Sequence, residues 1–429
     1  MVQQLFKWFK KALNKHTVIP RAEHGISRKG ISSNALKVLY RLHNAGFSAY
    51  LVGGCIRDLL LGQHPKDFDI ATNADPEQVR RLFSNCRIIG RRFRLAHVHF
   101  GRDILEVATF RAQHSTSTVQ NDDGMILRDN EYGSIQEDVM RRDFTVNALY
   151  YNIADFSIED FVGGMRDLSK QQLVLIGDPV LRYREDPVRM LRAIRFAAKL
   201  NFKIHPKTAK PIHTLHHLLS NIPAARLFEE YNKLFLSGNA VTTFQLLCKY
   251  SLFERLFPQT VKFLPHNTLI THALQNTDAR FAEDKSLTPS FLLAVFLWAP
   301  MVELAKKYLS EGQAEFIAYE QAMDRVLSDQ QKVMAVPRRF SSMIRDIWEL
   351  QLRLEKRRSA RSVAQMFALA KFRAAYDFLL LRAASGEKSV QAIAAWWQQY
   401  VDGDEQVRAK LESGFKTGKR KAKSKGSKV

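Results

Sequence analysis

The apolar residues of this chain change their period once, and that change limits the fold more than any other feature. From about Ser33 to Ile153 short β-rich runs alternate with short helical runs; beyond Pro187 almost every apolar residue recurs at helical spacing. "SNALKVLYRLHNAG" opens on Ser and Asn and closes on Gly, which predicts a helix. "SAYLVGG" reads as a strand, "CIRDLLLG" as a short helix ended by Gly62, and "KDFDIAT" as a second strand. "DPEQVRRLF" reads as a helix with Asp75 as N-cap and Pro76 at its first position. "CRIIG", "AHVHFG" and "ILEVATF" follow as three β segments, and Gln113 to Gly133 as a polar loop. The order predicts an α+β chain, with a small mixed sheet in a head and an all-α remainder. No fixed-period repeat is present, which argues against a solenoid.

Composition narrows the partners. With 46% hydrophobic residues among 429, a sizeable core is available, which argues against global disorder. Lys and Arg number 65 against 43 Asp and Glu, for a formal charge of +22 and a pI near 9.9. Such a balance points to a polyanion, nucleic acid first and an acidic membrane surface second. The three cysteines, Cys55, Cys86 and Cys248, lack zinc-site spacing and suit a reducing cytoplasm. The N-terminal "MVQQLFKWFKKALNKHTVIP" does not read as a signal peptide. Leu5, Phe9 and Leu13, with lysines between them, instead predict a basic amphipathic helix able to rest on anionic lipid or on the protein itself. The end, "SGFKTGKRKAKSKGSKV", has seven Lys or Arg and no acid, and is expected to be disordered.

Within this frame one stretch, Tyr50 to Thr72, carries the chemistry. Alternate residues of a strand share a face about 7 Å apart. Asp67 and Asp69 would therefore project together while Phe68 turns into the core. Paired carboxylates repel unless a cation lies between them, and Mg²⁺ prefers carboxylate and phosphate oxygens. Two such ions about 3.5–4 Å apart can hold an attacking oxygen and a leaving pyrophosphate in line. Gly53 and Gly54 end the preceding strand and open a helix, so backbone N–H groups there can approach a phosphate. Arg57, one turn on, is placed to reach a triphosphate, with Asp58 beside it. Two candidates exist for a third carboxylate. Glu106 lies in an apolar strand and is expected to have a partner; Asp143 follows an Arg pair and precedes a helical apolar pattern that it could cap.

"LVGGCIRDLLLG", "KDFDIAT", "EVATFR", "EDVMRRDFTVNALYY" and "YREDPVRMLRAIRFAAKL" together resemble the class II nucleotidyltransferases of the polymerase β superfamily. That family comprises bacterial poly(A) polymerases and tRNA CCA-adding enzymes, and the shared motifs span roughly Tyr50 to Leu200. "LRDNEYGSIQEDVMRRDFTVNALYYNIADF", "IRDIWELQLRL", "KFRAAYDFLLLRA" and the basic tail are similar to the poly(A) branch. Cys55 departs from the small residue usual at its place, without expected loss of activity.

The resemblance implies a five-stranded polymerase β-like nucleotidyltransferase head followed by helical neck, body and leg. The boundaries expected are a basic extension over 1–20, the head over 21–155, neck and body over 156–275, body and leg over 276–412, and the tail over 413–429. It implies template-independent transfer of AMP from ATP to RNA 3′ ends with release of pyrophosphate. The cofactor would be two Mg²⁺ ions, with Mn²⁺ able to substitute. Asp67, Asp69 and Asp143 are the catalytic candidates, with Asp67 and Asp69 as metal ligands and Glu106 as a further one. Gly53, Gly54, Arg57 and Arg142 would position phosphates, and Asp186 with Arg189, an EDxxR element, would read the incoming base. Arg192, Arg195, Lys419, Arg420, Lys421 and Lys423 would contact RNA, mainly through phosphates. A cytoplasmic monomer engaged in RNA polyadenylation and decay, with RNA-decay proteins as partners, is the expected setting. The alternatives are a CCA-adding enzyme and a catalytically inactive RNA-binding relative.

Overall fold

The structure is a computed structural model that describes residues 16–90, 94–112, 131–356 and 359–424. The amphipathic helix expected from Leu5, Phe9 and Leu13 lies outside the described residues, as does 113–130 of the expected loop. The chain forms two compact units, Met1–Leu219 and Ser220–Val429. The division after Leu219 falls within the 156–275 stretch expected to hold neck and body. Helices that follow the sheet are tied to it by specific contacts: Thr145 Oγ1 donates to Asp167 Oδ2 at 2.8 Å, and Arg192 Nε to Asp143 Oδ2 at 2.7 Å.

Eight strands make the sheet of the first unit: β1 (Thr17–Ile19), β2 (Ala49–Val52), β3 (Asp69–Thr72), β4 (Cys86–Ile89), β5 (Leu95–Phe100), β6 (Asp103–Thr109), β7 (Leu149–Asn152) and β8 (Ile158–Asp160). Their spatial order is β1-β8-β7-β2-β3-β6-β5-β4. Only β3 and β6 run parallel; the other pairs are antiparallel. The head is therefore larger than the five strands implied by resemblance. One of the added strands comes from the N-terminal stretch expected to be a mere extension, where the β-branched Thr17, Val18 and Ile19 pair with β8. A second difference follows Asp143. The residues after it make one 3₁₀ turn, Thr145–Asn147, and then enter β7, because Leu149, Tyr150 and Tyr151 suit a buried pleated surface better than a helix.

Local signals set the other elements. Ser32 caps Ser33–Asn44 by accepting from the Ala35 N–H, and Ala35, Val38, Leu39 and Leu42 form its buried stripe. Asp75 and Gln78 close a capping box over Pro76–Leu82. Val52, Ala71, Phe110, Val139, Ala148 and Tyr150 pack as one cluster. The neck helix Val188–Leu200 buries Val188, Leu191, Ile194 and Ala198, the stripe read from its sequence.

Among its described residues the second unit is helical. Leu292, Leu293, Val295 and Phe296 are buried at its centre, where Trp348 Nε1 donates to the Ala294 carbonyl at 3.1 Å. Leu354, Phe372, Tyr376 and Trp397 form a second core. Among the described residues no single helix is long and apolar enough to cross a membrane. The last helix, Glu405–Ser424, continues through the region expected to be a disordered tail. Lys, Arg and Ala are good helix formers and no Pro interrupts them, so intrinsic propensity carries the backbone on despite the scarcity of apolar residues. Lys419, Arg420, Lys421 and Lys423 fall on its final turns.

Candidate active site

Strand register brings three separate segments to the end of β2. Val52, its last residue, pairs with Asp69 on one side and Tyr150 on the other. The Gly53–Gly54 turn therefore lies between the start of β3 and the Arg142–Asn147 segment that leads into β7. Gly53 has φ 83° and ψ −138°, a conformation nearly closed to residues with a Cβ. A Cβ built there would sit 3.7 Å from Asp69 Oδ2, 3.7 Å from Arg142 Nη1 and 3.9 Å from the Asn147 carbonyl. Gly53→Ala has room for its methyl group but not the backbone freedom. It should lose about 1–3 kcal/mol of stability by urea unfolding, and a change below about 0.5 kcal/mol would contradict the strain.

β3 begins at Asp69, so Asp67 precedes the strand rather than lying within it. The alternation nevertheless extends through both: Phe68 and Ile70 are buried while Asp67 and Asp69 are exposed. Glu106 joins them through the parallel β3–β6 pairing. Ile70 is opposite Val107, which puts Glu106 beside Asp69. Solvent reaches Asp69, but the protein crowding its carboxyl raises its pKa, and Glu106 and Asp67 raise it further against the pull of Arg142. Among the described residues no Lys or Arg forms an ion pair with Asp67 or Asp69. Glu106 has a cross-strand partner in His97, with Nε2 at 3.4 Å from Oε1. These are hard oxygen donors in mutual repulsion, a set that suits a divalent cation. Among the described residues no three Asp, Glu, His or Cys side chains are grouped to hold an ion alone. The remaining oxygens would have to come from phosphate and water, as Mg²⁺ sites commonly arrange.

Asp143 stands apart from this set. It is held by Arg192, with Nη2 at 2.5 Å and Nε at 2.7 Å, and accepts from Asn147 Nδ2 and the Phe144 N–H. Burial opposes its charge, but Arg192 and these donors bring its carboxyl down to about 2. It is thus committed to an arginine, unlike Asp67 and Asp69. Arg57 likewise does not extend toward a ligand. Its side chain is 2% exposed, bonded to Asp58 and, through Nη1, to Asn147 Oδ1 at 2.5 Å. A Cβ on Gly54 would lie 3.4 Å from its Nη2, so Arg57 supports the turn from beneath. Burying Ile56 on the short helix turns its neighbour Arg57 inward as well, and a buried guanidinium must find carboxylate and amide partners.

Arg142 lies beside the glycine turn. Asp138 and Tyr150 hold its Nε and Nη2, leaving Nη1 toward Gly53 and Asp69. Burial works against its charge, but Tyr150 and Asp138 more than compensate and raise its pKa. Arg189 is mostly buried: its Nη1 donates to Glu185 at 3.0 Å and to the Arg182 carbonyl at 2.7 Å, while Nε and Nη2 have no hydrogen-bond partner among the described residues. Asp186 accepts from the Val188 N–H at 3.3 Å, at the start of the neck helix. Arg192 and Arg195, expected to face RNA, lie inside the unit's own network: Arg192 on Asp143, Arg195 against the Phe196 ring at 4.8 Å. Asp138, Asn147, Tyr150 and Glu185 are site residues not read from the sequence. The i,i+4 spacings Asp138–Arg142 and Glu185–Arg189 carried that information for Asp138 and Glu185.

Solved structures share this arrangement of sheet and helices. A Bacillus stearothermophilus CCA-adding enzyme in complex with CTP superposes with a TM-score of 0.57 at 25% identity, covering 84% of this chain and 80% of that one. A CCA-adding enzyme in an apo form gives 0.59 at 19% identity, covering 89% and 96%. The fold is that of the class II nucleotidyltransferases. Family models described as the poly A polymerase head domain, the probable RNA and SrmB-binding site of polymerase A, and the polymerase A arginine-rich C-terminus match residues 49–174, 201–264 and 311–428. Poly(A) polymerase I of Salmonella typhimurium is 52% identical over 398 residues, 90% of this chain and 85% of that protein. The Haemophilus influenzae protein of the same name is 47% identical over 92% and 90%. The CCA-adding enzyme of Lactobacillus helveticus matches at 37% over only 51% of this chain and 54% of its own. The chain belongs to the bacterial poly(A) polymerase family.

Proposed function

We propose that this enzyme adds AMP from ATP to RNA 3′ ends without a template. The single observation that carries the reading is that Asp69 has Glu106 and Asp67 as carboxylate neighbours beside the Gly53 turn, none of the three in an ion pair with Arg or Lys among the described residues. The RNA 3′-oxygen attacks the α-phosphorus of ATP, a new P–O bond forms, and the bond to the β-phosphate breaks to release pyrophosphate. Asp67 and Asp69 would hold the divalent ions, Mg²⁺ by the hardness of the donors, with Glu106 next to them. Bound ions would neutralise the triphosphate and acidify the 3′-hydroxyl. The Gly53 backbone admits the phosphates closely, and Arg142, fixed through two of its nitrogens, presents the third to them. The free edge of Arg189 and the carboxylate of Asp186 supply a donor and an acceptor with which to test adenine. The helical second unit and the basic final helix would hold RNA phosphates, with steep salt dependence. Free cysteines and these substrates suit a cytoplasmic reaction, in which adenylated 3′ ends would feed RNA decay.

Extension of a short RNA with Mg²⁺ and each nucleoside triphosphate in turn tests this. Long A tails are expected from ATP, with CTP at least about tenfold poorer. Addition of CTP confined to tRNA ends and stopping after a few nucleotides would overturn the reading in favour of CCA addition.

A further inference from the structure

Behind the Gly53–Gly54 turn the charged groups form a closed circuit. Lys199 Nζ lies 3.5 Å from Asp58 Oδ2, and Asp58 Oδ1 accepts from Arg57 Nε and Nη2 at 2.8 and 2.6 Å. Arg57 Nη1 donates to Asn147 Oδ1 at 2.5 Å, and Asn147 Nδ2 to Asp143 Oδ1 at 3.2 Å. Asp143 Oδ2 then meets Arg192, on the same helix as Lys199 and two turns before it. The circuit thus leaves the neck helix at one point and returns to it at another, passing under the glycine turn on the way.

Phe196 occupies the centre. It lies between Arg192 and Lys199 on one helix face, at spacings of four and three. The guanidinium carbons of Arg57, Arg192 and Arg195 stand 5.3, 5.2 and 4.8 Å from its ring centroid, and Phe144 meets it edge-on at 5.8 Å. An aromatic face draws guanidinium groups that would otherwise repel one another. Without the ring, Arg57 beneath the turn and Arg192 on the helix lose the surface they share. Arg189 is one turn before Arg192 on that helix. A shift of the helix is therefore a shift of Arg189 relative to the turn.

We propose that Phe196 is a positioning residue for nucleotide choice. It holds the helix bearing Arg189 in register with the Gly53–Gly54 turn, so that base and triphosphate are recognised as one rigid unit. The inference rests on Asp186 and Arg189 as the base readers.

The test measures the ratio of kcat/KM for ATP to that for CTP in F196L, F196Y and D186N, together with inhibition by inorganic tripolyphosphate, which engages the turn without a base. F196L should lower the ratio about tenfold, the scale of a lost pair of cation–π contacts, while F196Y, which keeps a ring, restores it. Tripolyphosphate inhibition should stay within about twofold in F196L, the turn itself being intact. D186N should lower the ratio independently. An unchanged ratio in F196L beside a lowered one in D186N overturns the inference and leaves base reading standing. No change in either overturns both. A fall in F196L alone also overturns it, since discrimination would then not run through this pair, and so does an equal loss of tripolyphosphate inhibition, which would be general loosening. Should F196L not fold, F196M carries the same comparison.

Discussion

Asp69→Asn is expected to reduce AMP incorporation by at least about 10³-fold, roughly 4 kcal/mol of transition-state stabilisation, while leaving the fold intact. The substitution keeps the shape of the side chain and removes one charge from a group in which three carboxylates repel. Protein crowding already raises the Asp69 carboxyl, and Glu106 and Asp67 raise it further, so neutralising it relieves a cost of the ligand-free protein. The melting temperature should therefore hold or rise as activity collapses. That pairing of opposite effects separates a functional carboxylate from a structural one. Asp67→Asn should behave in the same way. Incorporation within about tenfold of the unsubstituted enzyme for Asp69→Asn would remove the site from Asp69 altogether.

Asp138→Ala should have the largest effect on stability. Its Oδ2 accepts from Arg142 at 3.0 and 3.3 Å and from the Tyr150 hydroxyl at 2.5 Å, and its Oδ1 from the Arg111 N–H at 3.3 Å. Removing the carboxylate leaves a largely buried guanidinium with only Tyr150 as a side-chain hydrogen-bond partner among the described residues. Breaking one member of such a pair typically costs about 3–5 kcal/mol. In a unit of this size that corresponds to a fall of roughly 6–20 °C in melting temperature, readable by calorimetry. Asp138→Asn, which retains an acceptor, should lose less. The Asp138→Ala, Arg142→Met double variant should recover part of the loss, because the stranded charge is gone. A shift below about 2 °C for Asp138→Ala would mean that Arg142 does not depend on this carboxylate.

These two carboxylates differ in how they could be read. Asp69 was legible because the alternation of Asp67, Phe68, Asp69 and Ile70 assigns faces by backbone geometry alone. Asp75 and Ser32 were legible as helix caps for the same reason, since a cap acts on groups two or three residues away. Asp138 carried a weaker signal, an i,i+4 spacing to Arg142 that matches many solvated pairs as well. Arg57 and Asp143 have partners that the sequence did not announce. Each stands in a motif beside the chemistry, yet each is buried and committed to a partner distant in sequence: Asn147 for the first, Arg192 for the second. The β7 strand after Asp143 and the final helix were also read as their opposites, the one because packing overrode a helical pattern, the other because propensity overrode composition.

By itself the amino-acid sequence determined which faces are apolar, where short helices begin, and that two acids share a side next to a glycine turn. All of these follow from bonds and contacts within a few residues along the chain. Only the tertiary structure decided which charges are spent and which are available. Asp69 and Glu106 are neighbours because strand register aligns β3 with β6, and neither they nor Asp67 form an Arg or Lys ion pair among the described residues, while Asp143 is paired because the neck helix brings Arg192 to it. The field at a carboxylate depends on groups brought near it through space, and spacing along the chain does not encode them.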